Sequence, residues 1–461
     1  MKAESAVSWS RGAAIAAAGL LLFAAQNAEA VPSFSRQTGL SCETCHTVYP
    51  ELTPFGRMFK MEGFTLASTM QLKSQSKRGT NLRVDEMSPM SLALNVTQVD
   101  TRKAQPDSNG KGSAQNGTLQ APETLSLYYA GAISPQMGAF VQLQYTNTGG
   151  FGLSMSDIRW ATELNEGARQ VIVGVSANNQ VSFSDPWQDT PSYWFPYYNT
   201  GVGLTPAAST QIEMAMGNVA GVGPYVYVPD VIGGGAIYAS IEGYRSTANQ
   251  MPVDSSTPMV ISGVAPYWRL GWSKNWNNNS LEVGTFGYAP KISNNFMGQT
   301  NSVTSGLTDD FHDLGADMQY QYIGGNNIYS LEATAIREKQ DWHSGYAAGD
   351  TSNASDTLNH FKLTASWYYQ RHYGLNLQYF DITGTTDKLL YAPAAGTGSA
   401  NGSPDSSGLV LQASYMPWYN TRFIAQYTAY NKFNGGKSNY DGSGRNASDN
   451  NQLLLGLWVL F

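Results

Sequence analysis

From Met90 to the last residue, apolar and polar positions alternate in runs of about ten residues, the signature of strands with one lipid-facing side. A period of two sends successive side chains to opposite faces of an extended chain. One outward set is Leu92, Leu94 and Val96; others are Leu125, Leu127, Tyr129, then Val171, Val173, Val175, then Leu409, Leu411, Ala413, Tyr415. With less regular candidates at 208–217, 236–245 and 262–273, the pattern predicts an all-β, transmembrane antiparallel β-barrel of about 16 strands over residues 89–461. Tight turns at Ser134-Pro135, Asn165-Glu166-Gly167, Gly324 to Asn327, Gln370-Arg371 and Pro417-Trp418 alternate with long Gly/Ser/Asn/Asp loops. Short turns belong to the periplasmic side of such a barrel, and both termini fall there. The Gly/Pro/Val-rich stretch 218–235 breaks the rhythm, because it reads as a connection on the short side.

The alternate positions then face the lumen. They include Asp157, Arg159, Glu163, Asp313, Asp317, Glu332, His360, Lys362 and Arg422, a polar wall suited to a water-filled channel. The final run Leu453, Leu455, Leu457, Val459, Phe461 resembles the closing strand of bacterial outer-membrane barrels. At the other end Lys2 and Arg11 precede the apolar run 13–25, and Ala28-Glu29-Ala30 follows it, which predicts a signal peptide over 1–30. No apolar stretch reaches the ~20 residues of a membrane-crossing helix.

Composition agrees with the alternation. Only 13% of the 461 residues are charged, against 47 glycines and 27 tyrosines, which suits strands in lipid better than soluble domains. A net charge of −7 offers no basic face for phosphates, so nucleic acid is not expected as a partner. No hydrolase triad, Walker loop or HExxH sequence occurs.

One short stretch does carry chemistry. Ser41-Cys42-Glu43-Thr44-Cys45-His46 contains a CxxCH box, in which two thiols form thioethers to the vinyl groups of a haem and the histidine is the proximal iron ligand. Half of a zinc site and a redox dithiol are the competing readings of CxxC. The chain has only these two cysteines, so no second pair exists to complete a four-cysteine zinc site. The segment 31–70 is too small to bury a haem alone and must lean on a larger body, which predicts that it sits in or at the periplasmic mouth of the barrel. Residues 71–88 read as a linker. For the distal ligand, Met58, Met61 and Met70 are candidates, and Met61 is preferred because the aromatic run before it can pack on the ring.

Over Pro32 to Leu40, the haem box, and Thr47-Val48-Tyr49-Pro50-Glu51-Leu52-Thr53-Pro54-Phe55-Gly56-Arg57 through Phe64, the sequence resembles the cytochrome-porin fusion family of outer-membrane ferrous-iron oxidases. The resemblance implies one covalently attached haem c, with Cys42 and Cys45 as thioether sites and His46 as proximal ligand. It further implies a ferrous-iron:cytochrome c oxidoreductase that takes electrons from Fe(II) outside and passes them to a periplasmic cytochrome or copper protein. Asp309, Asp310, Asp313 and Asp317 are candidates to draw the cation in, since carboxylates suit a hard divalent ion. Two other readings stay open: a diffusion porin whose cytochrome segment is a plug or a periplasm-only module, and a conduit exporting electrons to an extracellular acceptor.

Overall fold

The computed structural model describes residues 32–66, 88–106, 117–146, 150–167, 169–186, 203–214, 216–247, 260–292 and 307–461. The expected signal peptide, nearly all of the linker and Met70 lie outside these.

The barrel strands are β1 (Met90–Thr101), β2 (Gly117–Ser134), β3 (Met137–Thr146), β4 (Gly150–Glu166), β5 (Arg169–Gln180), β6 (Met216–Val228), β7 (Ala236–Ser246), β8 (Ala265–Trp276) and β9 (Asn279–Tyr288). They continue as β10 (Lys291–Ile292), β11 (Asp309–Ile323), β12 (Asn327–Asp341), β13 (Ser355–Tyr369), β14 (Tyr373–Gly384), β15 (Ser406–Trp418), β16 (Thr421–Lys432) and β17 (Gln452–Leu460). Each pairs antiparallel with its neighbours, and β1 pairs with β17 from Ala93↔Leu460 to Thr101↔Gln452, which closes the sheet. Because β10 prolongs β9 along β11, these segments make sixteen staves. Closure leaves no open edge, the condition for spanning a bilayer with strands.

Burial follows the period of two, with the polar set inside. In β15, Gly408, Val410, Gln412, Ser414 and Met416 are buried while Leu409, Leu411, Ala413 and Tyr415 are exposed. The exposed belt carries large apolar side chains: Leu375, Leu377, Leu411 and Leu455 at mid-height, with Tyr369, Tyr373, Tyr415 and Phe423 toward the short turns. An aliphatic band edged by aromatic residues is the lipid face of an outer-membrane barrel. Among the described residues no helix is long and apolar enough to cross a membrane.

The expected strand at 208–217 is not formed. The stave is β6, residues 216–228, and only 229–235 connect it to β7, so the short-turn rhythm holds. Gly221, Gly223 and Pro224 made the stretch look like a loop. The two glycines are required because a Cβ on Gly221 would overlap the Tyr244 ring and one on Gly223 the Ile241 carbonyl oxygen. The chain before β6 turns into the lumen instead. The 3-10 turn Val181–Ser184 and residues Gln211, Ile212 and Glu213 of the short helix Gln211–Met214 are buried there, with Val181 and Ile212 among Tyr244, Tyr267, Phe286 and Ile336.

The N-terminal residues form α1 (Pro32–Thr38), α2 (Cys42–Cys45) and α3 (Pro54–Met61), all packed inside the short-turn end. Helix α3 starts where sequence rules place a start: the Thr53 hydroxyl accepts the Gly56 N–H at 3.1 Å and Pro54 stands at the first position.

Candidate functional site

The CxxCH box is built from local bonds first. The His46 N–H donates to the Cys42 carbonyl at 2.9 Å, so α2 is a single turn that carries both thiols. The loop 46–53 folds back, with the Thr53 N–H donating to the Cys45 carbonyl at 2.9 Å and the Thr53 hydroxyl to the Thr44 carbonyl at 2.6 Å. Helix α3 therefore lies directly beneath the box. A Cβ on Gly56 would collide with the Cys45 carbonyl oxygen, so only glycine allows this approach.

The wall completes the site. Arg371, on the turn between β13 and β14, donates to the His46 and Thr47 carbonyls at 3.1 and 2.7 Å and faces Glu43 at 3.6 Å. The Tyr419 hydroxyl donates to Glu43 at 2.6 Å, and Arg422 donates to the Tyr49 carbonyl at 3.2 Å. The Tyr49 ring sits between His46 and Trp458, at 5.1 and 4.7 Å. Further in, Gln321 donates to Glu51 at 2.7 Å and accepts from Arg57, which also donates to Ser280 at 3.2 Å. Lys60 donates at 2.7 Å to the Asp185 carbonyl, tying the N-terminal segment to the chain that crosses the lumen.

The donor set fits a c-type haem. His46 Nδ1 lies 3.2 Å from the Pro50 carbonyl; a carbonyl only accepts, so Nδ1 carries the proton and Nε2 keeps its lone pair. Burial pushes the His46 pKa down to about 4, which keeps the imidazole neutral as a metal ligand must be. The Cys45 thiol is pushed up to about 11, by burial and then by the neighbouring Cys42, which disfavours the thiolate that zinc binding or disulfide exchange needs. Cys42 and His46 line one small cavity of about 20 Å³ with Thr47, Val48, Tyr49, Arg371, Met416 and Tyr419. That volume holds about one water molecule, so a macrocycle needs more room than the cavity offers with Tyr419 and Arg371 in these positions.

The other expected site residues lie elsewhere. Met61 does not join His46; it is buried with Ala161, Ile172, Tyr225 and Tyr238 against the wall of β4 to β7, and Met58 packs on the same cluster. The helix that carries Met61 leads away from the box, which sequence proximity conceals. Asp317 is engaged by Arg269 at 2.8 Å, and Asp313 accepts the Ile212 N–H at 2.7 Å. Asp309 caps the N–H groups of Ser344 and Gly345 at 2.8 and 3.0 Å, and Asp310 pairs with Lys291. These carboxylates hold the inner chain and the loops rather than standing open to a passing cation. Among the described residues, no group of three or more His, Cys, Asp or Glu is arranged to hold a metal ion. His360 pairs with Glu213 at 2.7 Å in the lumen, and His312, His343 and His372 are exposed.

No protein-family model matches the sequence, and no curated protein does either. Solved structures with a similar course of chain are outer-membrane barrels. OmpF of Salmonella typhi, in complex with daunomycin, is 13% identical, covering 81% of this chain and 97% of its own with a TM-score of 0.44. The outer membrane channel DcaP of Acinetobacter baumannii is 11% identical over 81% and 96% of the two chains, with a TM-score of 0.42. An anion-selective porin from Comamonas acidovorans is 14% identical over 81% and 98%, with a TM-score of 0.41. The class assigned here, a closed antiparallel barrel of the outer-membrane porin type, rests on this chain's own closure, lipid belt and polar lumen.

Proposed function

We propose that the protein is a porin-type channel of the outer membrane stopped at its short-turn mouth by its own N-terminal segment. The observation that carries this reading is the polar inner face of sixteen staves meeting residues 32–66 through buried bonds, Arg57 to Ser280 and Gln321 to Glu51 among them. In planar bilayers, a chain lacking residues 32–66 is expected to conduct several-fold more than the full chain. Equal conductance of the two sinks the stopper.

A second reading adds a redox centre to the stopper, and a specific observation favours it: two thiols on one turn beside an imidazole that lines the same cavity as Cys42. A haem c there supplies a one-electron centre. Cys42 and Cys45 would hold it by thioethers and His46 would ligate its iron, while Arg371 and Arg422 fix the backbone of the box to the wall. On the resemblance of residues 32–64, the donor is extracellular Fe(II), the acceptor a periplasmic cytochrome or copper protein, and the activity ferrous-iron:cytochrome c oxidoreduction. Oxidised iron is poorly soluble near neutral pH, so moving the electron and not the metal across the membrane has a physical rationale. Stopped-flow spectra of intact cells mixed with Fe(II) are expected to record haem reduction. A haem that stays oxidised leaves the plain channel, and a low reduction potential in the purified protein points to electron export.

A further inference from the structure

The cavity at the box is lined by the N-terminal segment and also by Arg371, Met416 and Tyr419 of the barrel. Met416 is the last lumen-facing position of β15, in a row that otherwise reads Ser406, Gly408, Val410, Gln412, Ser414. It is buried, it packs on Val48 two residues beyond His46, and it lines the same cavity as Cys42 and His46. Its backbone is fixed at two points, since its N–H donates to the His372 carbonyl at 2.7 Å and its carbonyl accepts from His372 Nδ1 at 2.6 Å. It shares that cavity with the box. Met58 and Met61 belong to the cluster with Tyr225 and Tyr238, and His372, itself exposed, does not line the cavity.

We propose that the sixth ligand of a haem held by Cys42, Cys45 and His46 is the thioether of Met416, supplied by the barrel wall. This rests on the haem reading above. A soft sulfur opposite a histidine raises the reduction potential, the direction an electron acceptor for Fe(II) requires. It also makes the redox centre complete only when the N-terminal segment is docked, so ligation reports assembly of the two parts.

The test uses the full-length protein in detergent, with peptide mass and the pyridine haemochrome spectrum read first in every variant. If the peptide carrying Cys42 and Cys45 lacks a haem adduct, the haem reading falls and the ligand with it. With the adduct present, the oxidised wild type is expected to display the weak far-red band of sulfur ligation. Met416→Leu, close in volume and so compatible with folding, is expected to lose that band and to lower the potential. Met61→Leu is expected to keep both, and heat-modified gel mobility checks that each barrel is folded. A band that survives in Met416→Leu, that disappears in Met61→Leu, or that is absent from the wild type overturns the assignment while leaving the haem in place.

Discussion

Lys60 is the side chain whose chemistry is most altered by its position. It belongs to the N-terminal segment, yet it is buried against the inner chain, with Arg159 adding repulsion and Asp157, Asp185 and Glu242 opposing it. Burial is the larger effect and brings its pKa from 10.5 down to about 7. The docked state therefore holds fewer protons than the released segment between about pH 7 and 10.5, and docking strengthens as pH rises through that window. Below pH 7 both states are charged and the dependence levels off. Protease protection of residues 32–66 is expected to follow this slope in the wild type and to lose it in Lys60→Met. A flat profile in the wild type refutes it. Gly56 is a second single-residue determinant. Gly56→Ala is expected to push α3 off the Cys45 carbonyl and, on the proposed haem reading, to lower haem absorbance per barrel, although alanine is the better helix former.

At the scale of elements, α3 and the staves β9, β11 and β12 act as one unit through Arg57, Glu51, Ser280, Gln321 and Ser330. Hydrogen bonds to charged groups contribute about 1.5–3 kcal/mol each, and removing one partner strands the other. Arg57→Ala is expected to weaken docking by about 2–3 kcal/mol, visible as faster hydrogen exchange in residues 32–66 with the barrel's heat resistance unchanged. Exchange that stays at the wild-type rate shows that Arg57 is not an anchor. The start of α3 could be read from Thr53-Pro54, because capping is local. Stave β6 could not, because Gly221, Gly223 and Pro224 stand where the Tyr244 ring and the Ile241 carbonyl come close, and those neighbours are unknown until the wall is assembled.

At the scale of the molecule, the lipid belt carries its own expectation. Leu377 sits between the aromatic rows at mid-height, exposed on the outer face of β14. Leu377→Arg is expected to destabilise the barrel by about 2–4 kcal/mol in urea titrations in lipid, while the lumen-side neighbour Gln378→Ser costs far less. Equal effects at the two positions contradict the assigned faces.

What the sequence by itself determined was whatever a period or a short spacing encodes: the staves other than β6, their inward and outward faces, the short-turn end, and the box of Cys42, Cys45 and His46. Each of these depends on residues a few positions apart. Tertiary structure alone decided what lies opposite the box and what the buried carboxylates do. Met416 is 370 positions from His46 and reaches it only because the barrel closes around the N-terminal segment. Met61 is close in sequence but is carried to another wall by α3, and Asp317 meets Arg269 only across the intervening stave β9. The physical reason is that alternation fixes which face a side chain takes, whereas its partner is fixed by the register and closure of the whole sheet.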